Sequence, residues 1–369
     1  MFIPVIKPIL RIVASIGTFI IFVLTILAAY GGRISPEYLT LPSTLTLVFP
    51  YLAWASFIIT LLWIGFGYYI RGAFGVLTLI IVWSPATTAS PLGCSRQPDN
   101  PAQTFRIMTY NMIHGWDLEN KGGDRNRTIQ YILDSGCDIV CLQELRAIND
   151  KEIPLFTAAQ QDSLRKIYPY QLGDPSLDTK VLSKYPGVMK KADSFFDGKF
   201  DRERYSFYEL DVKGHKLTLV NVHLMSFMLT SKEREVFTGI HSIEDFKTSY
   251  REIKGDIHKK LKRGFMKRQN DSDLLRKALN KIQGALVVCG DFNDVPESYA
   301  YRLIKGDDLK DAYVETNFGP MFTYNRHAMW FHIDQILYRG PLEALSVRKG
   351  TIKTSDHYPL IAEFEFTTE

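Results

Sequence analysis

Ala285-Leu-Val-Val-Cys-Gly-Asp-Phe-Asn-Asp294 is the stretch that decides how this chain folds. The apolar run Ala285 to Cys289 lies between Gly284 and Gly290 and predicts a short buried strand. The run gives way at once to Asp291 and Asn293, so an acid and an amide stand where a strand ends. The same pattern recurs on both sides of it. Asn111 follows the alternating segment Phe105 to Tyr110, Glu144 follows the compact run Asp138 to Leu142, and His223 follows Lys216 to Val222. Asp334 lies in the strand Ile333 to Leu337, and Ser355-Asp356-His357 precedes the last strand, Leu360 to Phe366. Arg125 to Asp134 and Phe156 to Ile167 have helical spacing, and Gly214 turns a hairpin between Ser206–Val212 and Lys216–Val222. Strands outnumber helices and several end in polar residues, which predicts an α/β sandwich with its site at the strand ends.

Taken singly, these polar residues have ordinary explanations: a solvated loop acid, a satisfied histidine, an Asx turn at Asp-Phe-Asn-Asp. Together they fit the hydrolysis of a phosphate ester. Such a site needs a hard cation held by carboxylate and amide oxygens, and Glu144 and Asn111 offer these. It needs a group to orient or deprotonate water, for which Asp291 is suited. It needs donors to the charge that develops on the phosphorus oxygens, and Asn293, His223 and His357 can donate. A histidine in that role is oriented by a carboxylate, which Asp334 could supply.

The motifs Thr109-Tyr-Asn-Met112, Leu142-Gln-Glu144, Leu182-Ser-Lys-Tyr-Pro186, Asn221-Val-His-Leu224, Gly290-Asp-Phe-Asn-Asp294, Ile333-Asp-Gln-Ile-Leu337 and Ser355-Asp-His-Tyr-Pro-Leu360 occur in this order. In them the chain resembles the endonuclease/exonuclease/phosphatase superfamily, the deoxyribonuclease-I-like fold, from about Thr104 to Phe366. The resemblance implies a four-layer α/β sandwich of two packed mixed β-sheets flanked by helices. It implies that Glu144 is the principal Mg2+ ligand, with Asn111 beside it, Asp356 completing the metal shell and Mn2+ as the alternative ion. It implies that Asp291 orients or deprotonates the water and that Asn293 contacts the scissile phosphate. His223 and His357 would stabilise the phosphorane-like state or assist the leaving group, with Asp334 paired to His357. Two positions depart from the pattern. Ile113 stands where abasic-site repair enzymes carry an acid, which argues against repair, and Gln335 replaces the usual aromatic after Ile-Asp.

The first ninety residues are almost free of charge, with Lys7, Arg11, Arg33 and Arg71 against Glu37. They carry most of the net +4, so the remainder is close to neutral, unlike a dedicated duplex-DNA binder. Apolar runs at Ile12–Tyr30, Leu45–Ile70 and Ala73–Trp83, the last extendable through Ala89, predict a transmembrane anchor of about three helices over 1–90. A cleaved signal peptide is the alternative for the first run. Residues 91–103 read as a linker and 104–369 as the catalytic domain. Lys7 and Arg11 favour a cytoplasmic N-terminus, so three spans place the domain outside the cytoplasm, on a multi-pass protein of the cell inner membrane, and two would leave it inside. Cys137, Cys141 and Cys289 fall in apolar runs and read as buried thiols.

A charged, mainly helical insertion near 231–283 carries Lys254, Lys259, Lys260, Lys262, Arg263, Lys267 and Arg268, with Phe265 and Met266 among them. It reads either as a solvated helix face or as a contact with anionic headgroups. Trp330 and Phe331 read as a substrate lip or as core. The expected partner is a phosphate-ester substrate, with lipid and nucleic acid both open and no protein partner implied. Three functions follow: a metal-dependent phosphodiesterase or phosphatase at the membrane surface, with a lipid headgroup as first candidate; an extracytoplasmic nuclease; or an inactive membrane-tethered binding module. Headgroup release without plasmid nicking separates the first two, and indifference to loss of Asp291 and His357 marks the third.

Overall fold

The computed structural model describes residues 3–115, 126–145, 157–174, 177–190, 204–230, 233, 243–326 and 329–367. Arg125 and Phe156, expected to begin helices, lie outside the described residues, as do most of the insertion's first twelve positions and the side chain of Lys254.

The chain opens with α1 (Ile3–Ala29), α2 (Thr40–Gly65), α3 (Tyr69–Ile81) and α4 (Trp83–Ala89). The stretches Pro8–Arg33 and Thr40–Gly65 are long and apolar enough to cross a membrane, with mean hydropathy 2.6 and 2.0. The α3–α4 pair is bent by 67° and amounts to a third span only if its two parts are counted together. Small and hydroxylated residues join these helices: the Thr25 and Ser56 hydroxyls lie 2.7 Å apart, and Gly75 packs on Thr60 and Phe22. Close approach through small side chains is how helices associate where the surroundings are as apolar as they are. Their outer faces expose Ile, Leu and Phe along their length.

The remaining chain passes through β1 (Thr104–Asn111), α5 (Arg127–Asp134), β2 (Ile139–Gln143), α6 (Ala158–Ile167), β3 (Tyr170–Leu172), β4 (Lys180–Ser183), β5 (Gly187–Lys190), β6 (Tyr205–Val212), β7 (His215–His223), α7 (Ile243–Leu279), β8 (Ala285–Asp291), α8 (Tyr299–Lys305), β9 (Lys310–Asp311), α9 (Ala312–Thr316), β10 (Tyr324–Arg326), β11 (Met329–Phe331), β12 (Asp334–Arg339), β13 (Leu342–Lys349) and β14 (Leu360–Phe366). Two six-stranded sheets result, ordered β13-β14-β1-β2-β4-β3 and β5-β6-β7-β8-β12-β9, and β10 and β11 form a separate hairpin. Both large sheets are mixed, with β1–β2 and β7–β8 the parallel pairs at their centres. Alternation along each strand sorts the side chains into layers. Phe105, Ile107, Cys141, Leu217, Leu219, Val287, Cys289 and Phe364 fill the space between the sheets. Val220, Val222 and Val288 face outward onto Leu275, Ala278 and Leu279 of α7, while Met108, Tyr110 and Val140 face Ile129, Ile132 and Leu164 of α5 and α6. This is the four-layer sandwich expected, and Cys137, Cys141 and Cys289 are buried free thiols within it.

The segment read as a linker is laid against the sandwich. Its backbone pairs with neighbouring edges: Gly319 N donates to Pro91 O at 2.8 Å, Arg96 N donates to Leu345 O at 2.7 Å, and Leu92 bridges Phe318. The turn after α1 docks as closely. A Cβ on Gly32 would fall 1.9 Å from Glu297 O, so only glycine admits this approach. The Ser35 hydroxyl donates to Gln269 Oε1 of α7 at 2.8 Å.

The basic insertion divides by face. Lys259, Lys262 and Arg263 are exposed, but Phe265 and Arg268 are buried. Arg268 is 1% exposed, donates from Nε to Asp294 at 2.9 Å and from Nη1 to Met225 O at 2.8 Å, and stacks over Phe227 and Phe265. It belongs to the core rather than to a headgroup-facing surface, because its charge answers the buried Asp294.

Candidate active site

Register brings the site together. Across the second sheet His223 pairs with Asp291 on one side, and Asp334 pairs with Asp291 on the other. Asp291 is therefore flanked by an imidazole and a carboxylate through backbone pairing alone. Gly290 makes this possible, since at φ 144 it lies where a Cβ would meet Val222 O at 1.9 Å. In the first sheet, Asn111 ends β1 opposite Gln143, and Glu144 follows. Glu144 and Asn293 both take left-handed backbone, φ 55 and φ 52, a strain that functional sites retain where packing enforces it.

The two sheets meet at their strand ends. Asn111 Nδ2 donates to Glu144 Oε1 at 3.1 Å and to Asp291 Oδ2 at 3.0 Å, so one amide joins an acid from each sheet. Below it Gln143 Nε2 donates to Asn221 Oδ1 at 2.6 Å in a buried amide link. Asn293 donates to Asp291 twice, from its backbone N at 2.7 Å and from Nδ2 at 3.0 Å. His357 Nδ1 meets Asp334 Oδ2 at 2.9 Å, and its Nε2 lies 3.7 Å from Asp291. His223 Nε2 lies 3.6 Å from Glu144 and 4.0 Å from Asp291.

Seven of the eight residues singled out from the sequence thus converge. Asp356 stands apart, with its carboxylate turned to Arg326 of β10 at 3.4 Å and to the Ser355 hydroxyl at 3.5 Å. One member of the site was not read from the sequence. Asp178 Oδ2 lies 2.7 Å from His223 Nδ1 and gives that ring a carboxylate partner of its own. The available signal was the symmetry of the chemistry: a second imidazole calls for a second orienting acid, and Asp178 stands just ahead of β4. Gln335, the departure after Ile-Asp, is buried and donates to His332 O at 3.2 Å.

Burial raises the Asp291 carboxyl to about 6, with Asp334 adding to the rise and the two imidazoles and Asn111 opposing it. Burial alone would lower His357, but Asp334 and Asp291 outweigh it and bring it to about 10. His223 is raised likewise, with Asp178 overcoming the effect of burial. Each ring therefore meets a carboxylate at Nδ1, which favours its charged form, and turns Nε2 toward Asp291.

Ligand atoms of Asp291, Asp334 and His357 lie within 4.8 Å of one another, a group that could hold a metal ion. Asp334 Oδ1 is buried without a hydrogen-bond partner, and among the described residues neither Asp291 nor Asp334 meets a lysine or arginine. Clustered donors, with one carboxylate oxygen lacking a protein partner, fit a hard divalent cation such as Mg2+ or Mn2+.

His332, behind this cluster, is buried against Tyr313 with neither ring nitrogen partnered, and burial lowers it to about 4. Its folded value lies below the ordinary 6.5, so its contribution to stability is present above about 6.5 and is lost as the pH falls through about 4. Hydrogen exchange at β12 should show the opening free energy falling by about 3 kcal/mol between pH 7 and pH 4. The fall should be much smaller in His332→Phe.

A profile of the Endonuclease/Exonuclease/phosphatase family matches residues 108–357. No curated protein matches the chain. Among solved structures, truncated TDP2 of Caenorhabditis elegans is 19% identical, covering 71% of this chain and 98% of its own, with a TM-score of 0.44. The human nocturnin catalytic domain with bound sulfate is 19% identical over 72% of this chain and 95% of its own, with a TM-score of 0.46. Sphingomyelinase C of Streptomyces griseocarneus is 16% identical over 70% and 99%, with a TM-score of 0.41. At such identities the likeness is one of fold. The family profile includes every residue that builds the site, from Asn111 to His357, and the chain belongs to the endonuclease/exonuclease/phosphatase family.

Proposed function

We propose that this chain is a multi-pass membrane protein whose extracytoplasmic domain hydrolyses phosphate esters with Mg2+ and takes lipid headgroups at the membrane surface. The observation that carries the catalytic reading is the convergence of two histidine–aspartate pairs on one buried carboxylate, Asp291. Asp291 takes the proton of the attacking water, and its raised value suits a base working near neutral pH. Asn293 holds Asp291 in place, its two Nδ2 hydrogens going to Asp291 Oδ2 and Leu224 O. The His223 and His357 imidazoliums donate from Nε2 to the phosphorus oxygens as charge builds, and His357 protonates the leaving oxygen. Asp178 and Asp334 keep both rings charged and aimed. Glu144 and Asn111 would hold the cation, which would supply charge neutralisation to the phosphate, while the Asp291, Asp334 and His357 group serves for proton transfer instead. We assign Asp356 to the rim of the site, where it holds β10 through Arg326.

The lipid reading is supported by the way the anchor meets that rim. The Tyr51 hydroxyl of α2 donates to Trp330 O of β11 at 2.7 Å, and across the hairpin Tyr324 bridges His357. The extracytoplasmic side is supported by charge. Arg11 stacks on Tyr68 and Arg71 on Trp63 at the end of the helices away from the domain, and Lys7 precedes them, the arrangement of a cytoplasmic face. The purified full chain with Mg2+ should release phosphate or headgroup from phospholipid vesicles in a chelator-sensitive way and leave plasmid DNA intact. Plasmid nicking without release from lipid would overturn the lipid reading and favour an extracytoplasmic nuclease.

A further inference from the structure

We propose that the cleft between the anchor and α8 binds the phosphate-bearing headgroup of an anionic membrane lipid, an inference that rests on the membrane reading above and not on the catalytic one. The cleft is lined by Arg33 of the turn after α1, by Ser84 and Thr88 of α4, by Arg302 and Lys305 of α8, and by Arg276 of α7 with residues 306–308. It is therefore built from both the anchor and the catalytic domain.

Several of its charges are already answered. Arg302 Nη1 lies 2.7 Å from Glu297, and Arg276 Nη1 lies 2.8 Å from Asp308, which Arg339 also meets. Arg33 and Lys305 differ, because among the described residues neither forms an ion pair. Arg33 instead lies over the Tyr30 ring, 4.6 Å from its centroid. With Asp307 counted, the lining together with Arg339 keeps an excess of two positive charges. The exposed Ser84 hydroxyl adds a neutral donor. Cations with a hydroxyl beside them suit the oxygens of a phosphate diester.

The depth of the cleft selects a lipid as the source of that phosphate. Arg11 stacks on Tyr68 at the far end of the helices, and Arg33 follows it by 22 residues. At helical rise this is about 33 Å, close to the ~30 Å of a hydrocarbon core, so Arg33 stands where acyl chains end and phosphates begin. Tyr30 sets the same level on α3, since its hydroxyl donates to Ile81 O, and Ser84 follows just after the exposed Trp83. Gly31 packs on Pro42 O of α2 and Gly32 on Glu297 O, so the backbone that bears Arg33 is fixed against both the anchor and the domain. A headgroup reaches this cleft with its acyl chains still in the bilayer. Once bound, it ties α4 and the turn after α1 to α8, the helix that follows the loop of Asp291 and Asn293, and so sets how the domain sits on the membrane.

The test uses the full chain from carbonate-washed membranes in a neutral detergent, with chelator present so that no lipid is turned over. Given equal phosphatidylglycerol and phosphatidylcholine, native mass spectrometry should show the anionic lipid retained in excess by on the order of 20-fold, roughly fivefold for each free cation. Arg33→Gln with Lys305→Gln should bring the ratio close to one, and Arg33→Lys should preserve it. Lys259→Gln with Lys262→Gln, on the exposed face of α7, should leave it unchanged. Equal unfolding temperatures in phosphatidylcholine micelles show that the variants are folded; should the double variant unfold, Lys305→Gln alone carries the test with about a fivefold loss. Glycerol 3-phosphate at the concentration of the lipid should not displace it. No preference in the unsubstituted chain, a preference that survives the loss of Arg33 and Lys305, or one that falls equally with Lys259 and Lys262 would overturn the proposal. Displacement by glycerol 3-phosphate would overturn it too, by moving the source of the phosphate from membrane to solution. Release of the chain by carbonate would overturn the membrane reading and this inference together, whereas a retained chain without preference overturns the inference alone.

Discussion

Asp291→Asn should lower kcat for phosphate-ester hydrolysis by on the order of 10³- to 10⁴-fold, the upper part of the range for loss of a general base. Three donors aim at this carboxylate: the Asn111 amide, the Asn293 amide and the Asn293 backbone N–H. An asparagine turns one of its two acceptors into a donor, so it both removes the base and opposes a neighbouring amide. It also removes a charge that keeps His223 and His357 protonated. Adding His357→Ala to Asp291→Asn should therefore cost less than about tenfold more, because residues that act as one unit are not additive. Steady-state kinetics on the two single variants and the double variant read this directly. Full additivity would mean that His357 and Asp291 act independently.

Arg268→Ala should lower stability by about 3–5 kcal/mol, the cost of stranding one partner of a buried ion pair. Asp294 is 2% exposed and burial already raises its carboxyl, so without the guanidinium it is left as a buried charge that nothing answers. The variant also loses the Met225 O contact and the stacking between Phe227 and Phe265. Asp294 directly follows Asn293, so the loop after β8 loosens with it. Thermal unfolding of the detergent-solubilised chain should show the loss. Arg268→Met with Asp294→Leu should recover much of it, since the apolar pair strands no charge.

Much of this was legible in the sequence because strands announce themselves through alternation and end in residues that do not belong in a core. Val287-Val-Cys-Gly-Asp-Phe-Asn is such a case, as is Asn221-Val-His. The pairing of His357 with Asp334 came from the resemblance to the endonuclease/exonuclease/phosphatase superfamily, and the two side chains meet at 2.9 Å. Asp178 was not legible, because it lies in a loop whose placement depends on the crossing of β4 beside β7, a long-range fact that local pattern does not carry. Arg268 was misread because its neighbours Lys260, Lys262, Arg263 and Lys267 form a charge run, and in such a run only tertiary packing reveals which member turns inward. The third span stayed short for a local reason: the chain bends by 67° where Val82 separates α3 from Trp83-Ser-Pro85.

The central claim is that this buried cluster is a metal-dependent phosphoesterase centre. Its most direct test is the hydrolysis of bis(p-nitrophenyl) phosphate by the purified full chain, measured after chelation, after Mg2+ is restored, and again with Asp291→Asn. Turnover that vanishes with chelator, returns with Mg2+ and is lost in the variant is the expected result. Turnover that persists through chelation, or that Asp291→Asn leaves intact, would contradict it.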